Sequence, residues 1–163
     1  MSRRWVTLLV FAVVLGAASA DAQVQQFRQY AAKFVCGKAS EAEDKAFLAA
    51  PGVYYTAINV HNPLRLLSVK FKKKFALGQP AEQPGKISTF FDAELKADYT
   101  MQIDCGDIYK HMGIPPGTFM EGFAVLELTP TTRELDVVTV ITASPGTGVS
   151  TLHTERVPSR ITQ

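Results

Sequence analysis

Four groups of side chains in this chain of 163 residues combine chemically active types at spacings that would bring them together. Asp104, Asp107 and His111 stand at i, i+3 and i+7. On a helix they share one side, and two carboxylates with an imidazole form a partial ligand set for a divalent metal. A helix also needs these types for itself, as an N-cap acceptor, an acid at the positive end of the dipole and a base at the negative end. Capping is the better-supported reading, because nothing local supplies a fourth ligand. On a strand, His153-Thr154-Glu155 places an imidazole and a carboxylate on one face, a pair suited to proton transfer or metal binding. Polar alternation on a solvent-facing strand explains it more simply. His61-Asn62-Pro63 follows a strong strand, where polar side chains at a rim meet ligands. Asn-Pro is also an ordinary turn pair. Lys70, Lys72, Lys73 and Lys74, interleaved with Phe71 and Phe75, make a basic strip suited to acidic polysaccharide, lipid headgroups or nucleic acid. Edge-strand lysines that block sheet-to-sheet pairing produce the same pattern.

His61, Asn62, Lys70, Lys72 and Lys74 are therefore the candidate ligand-binding residues. No catalytic residue, metal ligand or cofactor is assigned. The chain carries no G-x-S-x-G, no H-E-x-x-H, no glycine-rich phosphate loop and no EF-hand loop. Each of those constellations needs fixed spacing to hold a nucleophile, zinc, phosphate or calcium. The two cysteines, Cys36 and Cys105, have no C-x-x-C partner, which argues against a dithiol redox or cysteine-rich zinc site.

The elements that must position these groups are mostly strands. Tyr30, Ala32, Phe34 and Cys36 fall on one face at period two. Val53–Val60 is rich in aromatic and β-branched residues and ends at Asn62-Pro63. In 66–77, Leu67, Val69, Phe71, Lys73 and Phe75 share one face, and Lys70, Lys72 and Lys74 the other. Strands are expected near 86–91, 119–128, 135–142 and 150–157, and a short helix over 104–111. Ser40–Leu48 is read as a short helix or a loop. The Gly/Pro-rich connections are too short for parallel crossovers, so the strands pair antiparallel. The expected fold is an all-β antiparallel sandwich, immunoglobulin-like in kind, with one short helix before the C-terminal strands. A partly open barrel is the alternative.

The beginning of the chain reads as a secretory signal over residues 1–20. Arg3 and Arg4 precede an apolar run from Trp5 to Leu15, then small residues with cleavage near Ala20 or Ala22. The run is shorter than the roughly 20 residues a bilayer crossing needs, so no membrane span is expected after cleavage. Residues 21–28 read as a flexible leader and 29–163 as a single β domain. Removing Arg3 and Arg4 from 17 Lys+Arg leaves a balance with 15 Asp+Glu, so no nucleic-acid partner is expected. An even pair of cysteines in an exported chain points to a disulfide, with two separate buried thiols as the alternative.

Particular residues also match a wider pattern: Tyr30-x-x-Lys33-Phe34-Val35-Cys36-Gly37, then Pro51-Gly52-x-Tyr54-x-Thr56-x-Ile58-Asn59-Val60-His61-Asn62-Pro63. Asp104-Cys105, Gly122-Phe123, Glu134–Val140 and Glu155-Arg156-Val157 continue it. In these the chain resembles a family of uncharacterised secreted bacterial proteins. The resemblance implies a secreted β domain with paired cysteines and implies no activity. The expected function is a non-catalytic binding or structural module of the bacterial envelope or exterior, with an envelope or extracellular partner. A metal-dependent or hydrolytic enzyme built from scattered His, Asp and Glu is one alternative. A subunit of a larger envelope assembly is another.

Overall fold

The structure is a computed structural model that describes residues 25–40, 49–145 and 151–163. The expected signal peptide, its cleavage sites and most of Ser40–Leu48 lie outside the described residues.

The chain runs β1 (Phe27–Ala39), β2 (Gly52–His61), β3 (Val69–Gly78), β4 (Pro84–Ile87), β5 (Phe91–Leu95) and β6 (Thr100–Asp104). The helix α1 (Cys105–Met112) follows, then β7 (Met120–Leu128), β8 (Asp136–Ser144), β9 (Thr151–Arg156) and β10 (Arg160–Thr162). All named strands pair antiparallel. The all-β expectation with one short helix holds. The ladder does not divide into free-standing layers, however. It runs continuously as β4-β3-β7-β1-β2-β8-β9, with β5 on β3, β6 on β2 and β10 on β1.

β1 makes this continuity possible. Its residues Arg28–Cys36 pair with β7, and its last three residues, Gly37–Ala39, pair with β2. The changeover falls at Gly37, whose φ is +89° and whose missing Cβ would lie 2.2 Å from the Thr118 carbonyl oxygen. Only glycine takes that left-handed backbone at such close range without strain. The inward alternation of Tyr30, Ala32, Phe34 and Cys36 is as the sequence pattern predicts, and all four are buried. They pack with Phe71, Phe75, Leu126, Ile58, Val60, Ile103 and Val137 in one core drawn from both ends of the ladder.

Hydroxyl side chains close the seam where the curled ladder meets itself. Thr56 Oγ1 accepts from the Val35 amide at 2.9 Å and donates to the Val35 carbonyl at 2.7 Å. Thr139 Oγ1 donates to the Lys33 carbonyl at 3.0 Å, and the Leu135 amide donates to Tyr30 Oη at 2.8 Å. The threonine bonds satisfy main-chain groups of β1 that no strand reaches, and the tyrosine hydroxyl takes up the Leu135 amide, as buried polar groups require. Burial raises the Tyr30 pKa above 10.0.

A Cys36–Cys105 disulfide joins β1 to the start of α1. The helix begins with a capping box: Asp104 accepts from the Asp107 amide at 3.0 Å, and Asp107 accepts from the Asp104 amide at 3.3 Å. It ends at Gly113 in the left-handed conformation. Lys86 Nζ donates to the Met112 carbonyl at 2.5 Å, adding a cation at the negative end of the dipole. Among the described residues, no helix is long and apolar enough to cross a membrane.

Candidate functional site

The lysine strip sits in a different setting from the edge strand that would explain it most simply. β3 is internal, with β7 on one side and β4 and β5 on the other. Its outward lysines face carboxylates from both neighbours. Lys70 lies opposite Glu94 at 4.0 Å, Lys72 stands in register with Asp92 and Glu127, and Lys74 is 3.7 Å from Glu127. Lys33 of β1 adds a 2.7 Å pair with Glu121. Two of the ammonium groups lie over aromatic rings, Lys74 Nζ 4.4 Å from the Phe90 centroid and Lys33 Nζ 5.4 Å from that of Phe123. A cavity of about 610 Å³ opens beside Lys70, Lys72 and Glu127. Its charged lining sets Asp92, Glu94 and Glu127 against Lys70 and Lys72, so the local field is weaker than four lysines in sequence suggest.

His61 and Asn62 are adjacent in sequence and opposite in environment. Asn62 is completely buried. Its Nδ2 donates toward the carbonyls of Leu67, Leu95 and Lys96 at 2.8, 3.2 and 2.9 Å, and its Oδ1 accepts from the Leu64 amide at 3.1 Å. Every polar atom of this side chain is engaged, in holding the β2–β3 loop or in joining it to the end of β5. His61 is half-buried between two carboxylates, Nε2 3.3 Å from Asp98 and Nδ1 3.5 Å from Asp136. Asp136 also holds Arg156.

The remaining histidines lie elsewhere. His153 faces Glu155 at 3.8 Å on the exposed surface of β9. His153 is in register with Ile141 and His61 with Asp136, so roughly 16 Å of strand rise separates their rows. Asp104 stands opposite Ala57, four rows from His61 and roughly 13 Å away by the same measure. His111 packs against Phe91 and Phe75, with ring centroids 4.1 and 5.7 Å away. Burial and the Lys73 ammonium lower its pKa, while Asp107 opposes them. Among the described residues, no group of three or more His, Cys, Asp or Glu could hold a metal.

The less charged surface is the outward face of β2 and β8. Because Thr56, Ile58 and Val60 point inward, Val53, Tyr55 and Ala57 point outward beside Val140 and Thr142 of β8. These residues line a shallow groove of about 530 Å³. Lys38, Gln102, Asp104 and Cys105 of the disulfide also line it. Tyr55 is 60 % exposed although it lies mid-strand. Tyr109, which also lines the groove, is pinned by donating to the Thr118 carbonyl at 2.9 Å, and burial raises its pKa above 10.0. The aromatic and β-branched content of 53–60 marks a strand, but only the β2–β8 register shows which residues join this face.

No family model matches the chain, and no curated protein or solved structure matches it either.

Proposed function

We propose that the chain is an exported bacterial binding module with no catalytic chemistry of its own, and that the groove on the outer face of β2 and β8 is its ligand surface. It acts in the periplasm or outside the cell. The signal-like order of residues 1–20 supports export, and a Cys36–Cys105 disulfide suits an oxidising compartment. The motif resemblance to secreted bacterial proteins points the same way.

The observation that carries the reading is the floor of Val53, Ala57 and Val140 with exposed Tyr55 standing over it. An apolar floor with few polar groups suits a neutral, largely apolar molecule or segment, and 530 Å³ lies within the range of small-ligand sites. The hydrolytic alternative has less support, because His61, His153 and Asp104 occupy separate rows with separate partners.

Titration of the mature protein with indole and with monomeric octyl glucoside, followed by amide NMR, tests the groove. Shift changes are expected at Val53, Ala57 and Val140, and Tyr55→Ala is expected to weaken binding about tenfold, or about 1.4 kcal/mol. Lys70→Glu with Lys72→Glu is expected to leave it unchanged. Shifts that ignore Tyr55→Ala, or that follow the lysine variant, would overturn the assignment.

A further inference from the structure

β9 is the most open element among the described residues. All six of its side chains are exposed, and among the described residues it pairs only with β8. Natural edges are usually blunted by lysine, proline, bulges or a covering element. Thr151–Arg156 contains no lysine, proline or glycine, and its register with β8 is unbroken.

The hydrogen-bond parity of this edge can be worked out. The Val157 amide donates to the Val137 carbonyl at 2.8 Å, so residue 157 turns its main-chain groups toward β8. Antiparallel strands alternate, so Thr151, His153 and Glu155 do the same, and Leu152, Thr154 and Arg156 turn theirs outward. A second antiparallel strand must bond to those three. If that strand is another β9, one register uses all three on both copies: Thr154 opposite Thr154, and Leu152 opposite Arg156 twice. This register puts His153 opposite Glu155 of the other copy, and Glu155 opposite His153, in the closer non-hydrogen-bonded pairs. Sliding by two residues either way loses main-chain bonds and sets His153 against His153 or Glu155 against Glu155. Arg156, held by Asp136, would lay its stem on Leu152, which is 69 % exposed.

We infer that β9 is a self-complementary dimerisation edge, at which two copies of this chain pair antiparallel about a two-fold axis through Thr154. The occupant is a second copy because the strand's own charge order and bonding parity agree on a single symmetric register. The inference concerns the edge of the ladder and does not depend on the groove's being a ligand site.

Sedimentation velocity on the mature protein, from about 1 μM to about 1 mM, is expected to show a concentration-dependent dimer. Thr154→Pro removes an outward amide without touching the β8 bonds, a placement that edge strands tolerate. It is expected to give a monomer with unchanged circular dichroism. Should that variant misfold, His153→Glu and Glu155→Lys are each expected to weaken dimerisation about tenfold. Their mixture is expected to restore a heterodimer, since each mismatched pair becomes an attractive one. Under oxidation, Thr154→Cys is expected to cross-link and Arg156→Cys to do so far less. A monomer throughout the range overturns the inference, even if another protein's extended segment binds β9. So does a dimer indifferent to both charge variants, or one cross-linked preferentially through Arg156→Cys.

Discussion

Among the strand edges that have no strand partner within the described residues, two are treated in opposite ways. Along the middle of β1, between its pairings with β10 and β2, hydroxyls from facing elements take the place of a strand. Thr56 occupies the Val35 amide and carbonyl, and Thr139 the Lys33 carbonyl. Along β9, among the described residues, no side chain hydrogen-bonds back to the main chain, and all six side chains are exposed. The difference is one of burial. An unsatisfied carbonyl inside the core costs about 1–3 kcal/mol, whereas water satisfies an exposed one. The inner edge therefore had to be closed within the chain, and the outer edge stays available to something outside it.

The strongest test of the closed region is its covalent tie. Cys36→Ala with Cys105→Ala frees the β1 end from α1 and is expected to lower stability by about 4 kcal/mol, measured by urea unfolding. Thr56→Val comes next. It strips two partners from Val35 at once and leaves both groups buried, so about 1–3 kcal/mol is expected. Thr139→Val, which removes the single hydroxyl donor to the Lys33 carbonyl, is expected to fall below it in the same assay. Equal effects would mean that the seam is held by packing rather than by these hydroxyls.

The closed region was legible where it depends on local pattern. Alternation in Tyr30–Cys36 marked the buried face of β1, and Asp104 with Asp107 marked the start of α1. The setting of the lysine strip was not legible because its partners are remote in sequence. Glu94 and Glu127 reach Lys70 and Lys74 only through pairing with β5 and β7, so β3 looks like an edge when it is internal. Asp98 and Asp136 bracket His61 for a similar reason, one from the turn before β6 and one from β8. β10 is three residues long and offers no periodicity to read. The His153-Thr154-Glu155 alternation was visible, but its self-complementarity appears only once the β8 register fixes which main-chain groups face outward.

Between these extremes lies His111, half-covered by Phe75 and Phe91. Its pKa lies below 6.5 in the folded protein, mainly through burial and then through Lys73. The unfolded chain therefore takes up the proton first. The stability associated with the neutral ring is complete above about pH 6.5 and is lost as the pH falls below that value. Urea midpoints measured between about pH 7 and pH 5 should decline less steeply in His111→Leu than in the parent. An unchanged slope would remove His111 from the acid response.

The smallest effect belongs to β9, and its smallness is informative. Glu155→Lys changes a group that is exposed and faces only His153 at 3.8 Å within the monomer. Surface changes of this kind usually stay within about 0.5 kcal/mol, so urea unfolding at low micromolar concentration should barely register it. The same substitution alters two cross-strand pairs if β9 meets a second copy. A variant that is silent in the dilute monomer and loses association at high concentration would separate the two kinds of edge directly. A large loss of stability in the dilute monomer would show instead that β9 is tied into the fold as firmly as β1, and the contrast between them would fail.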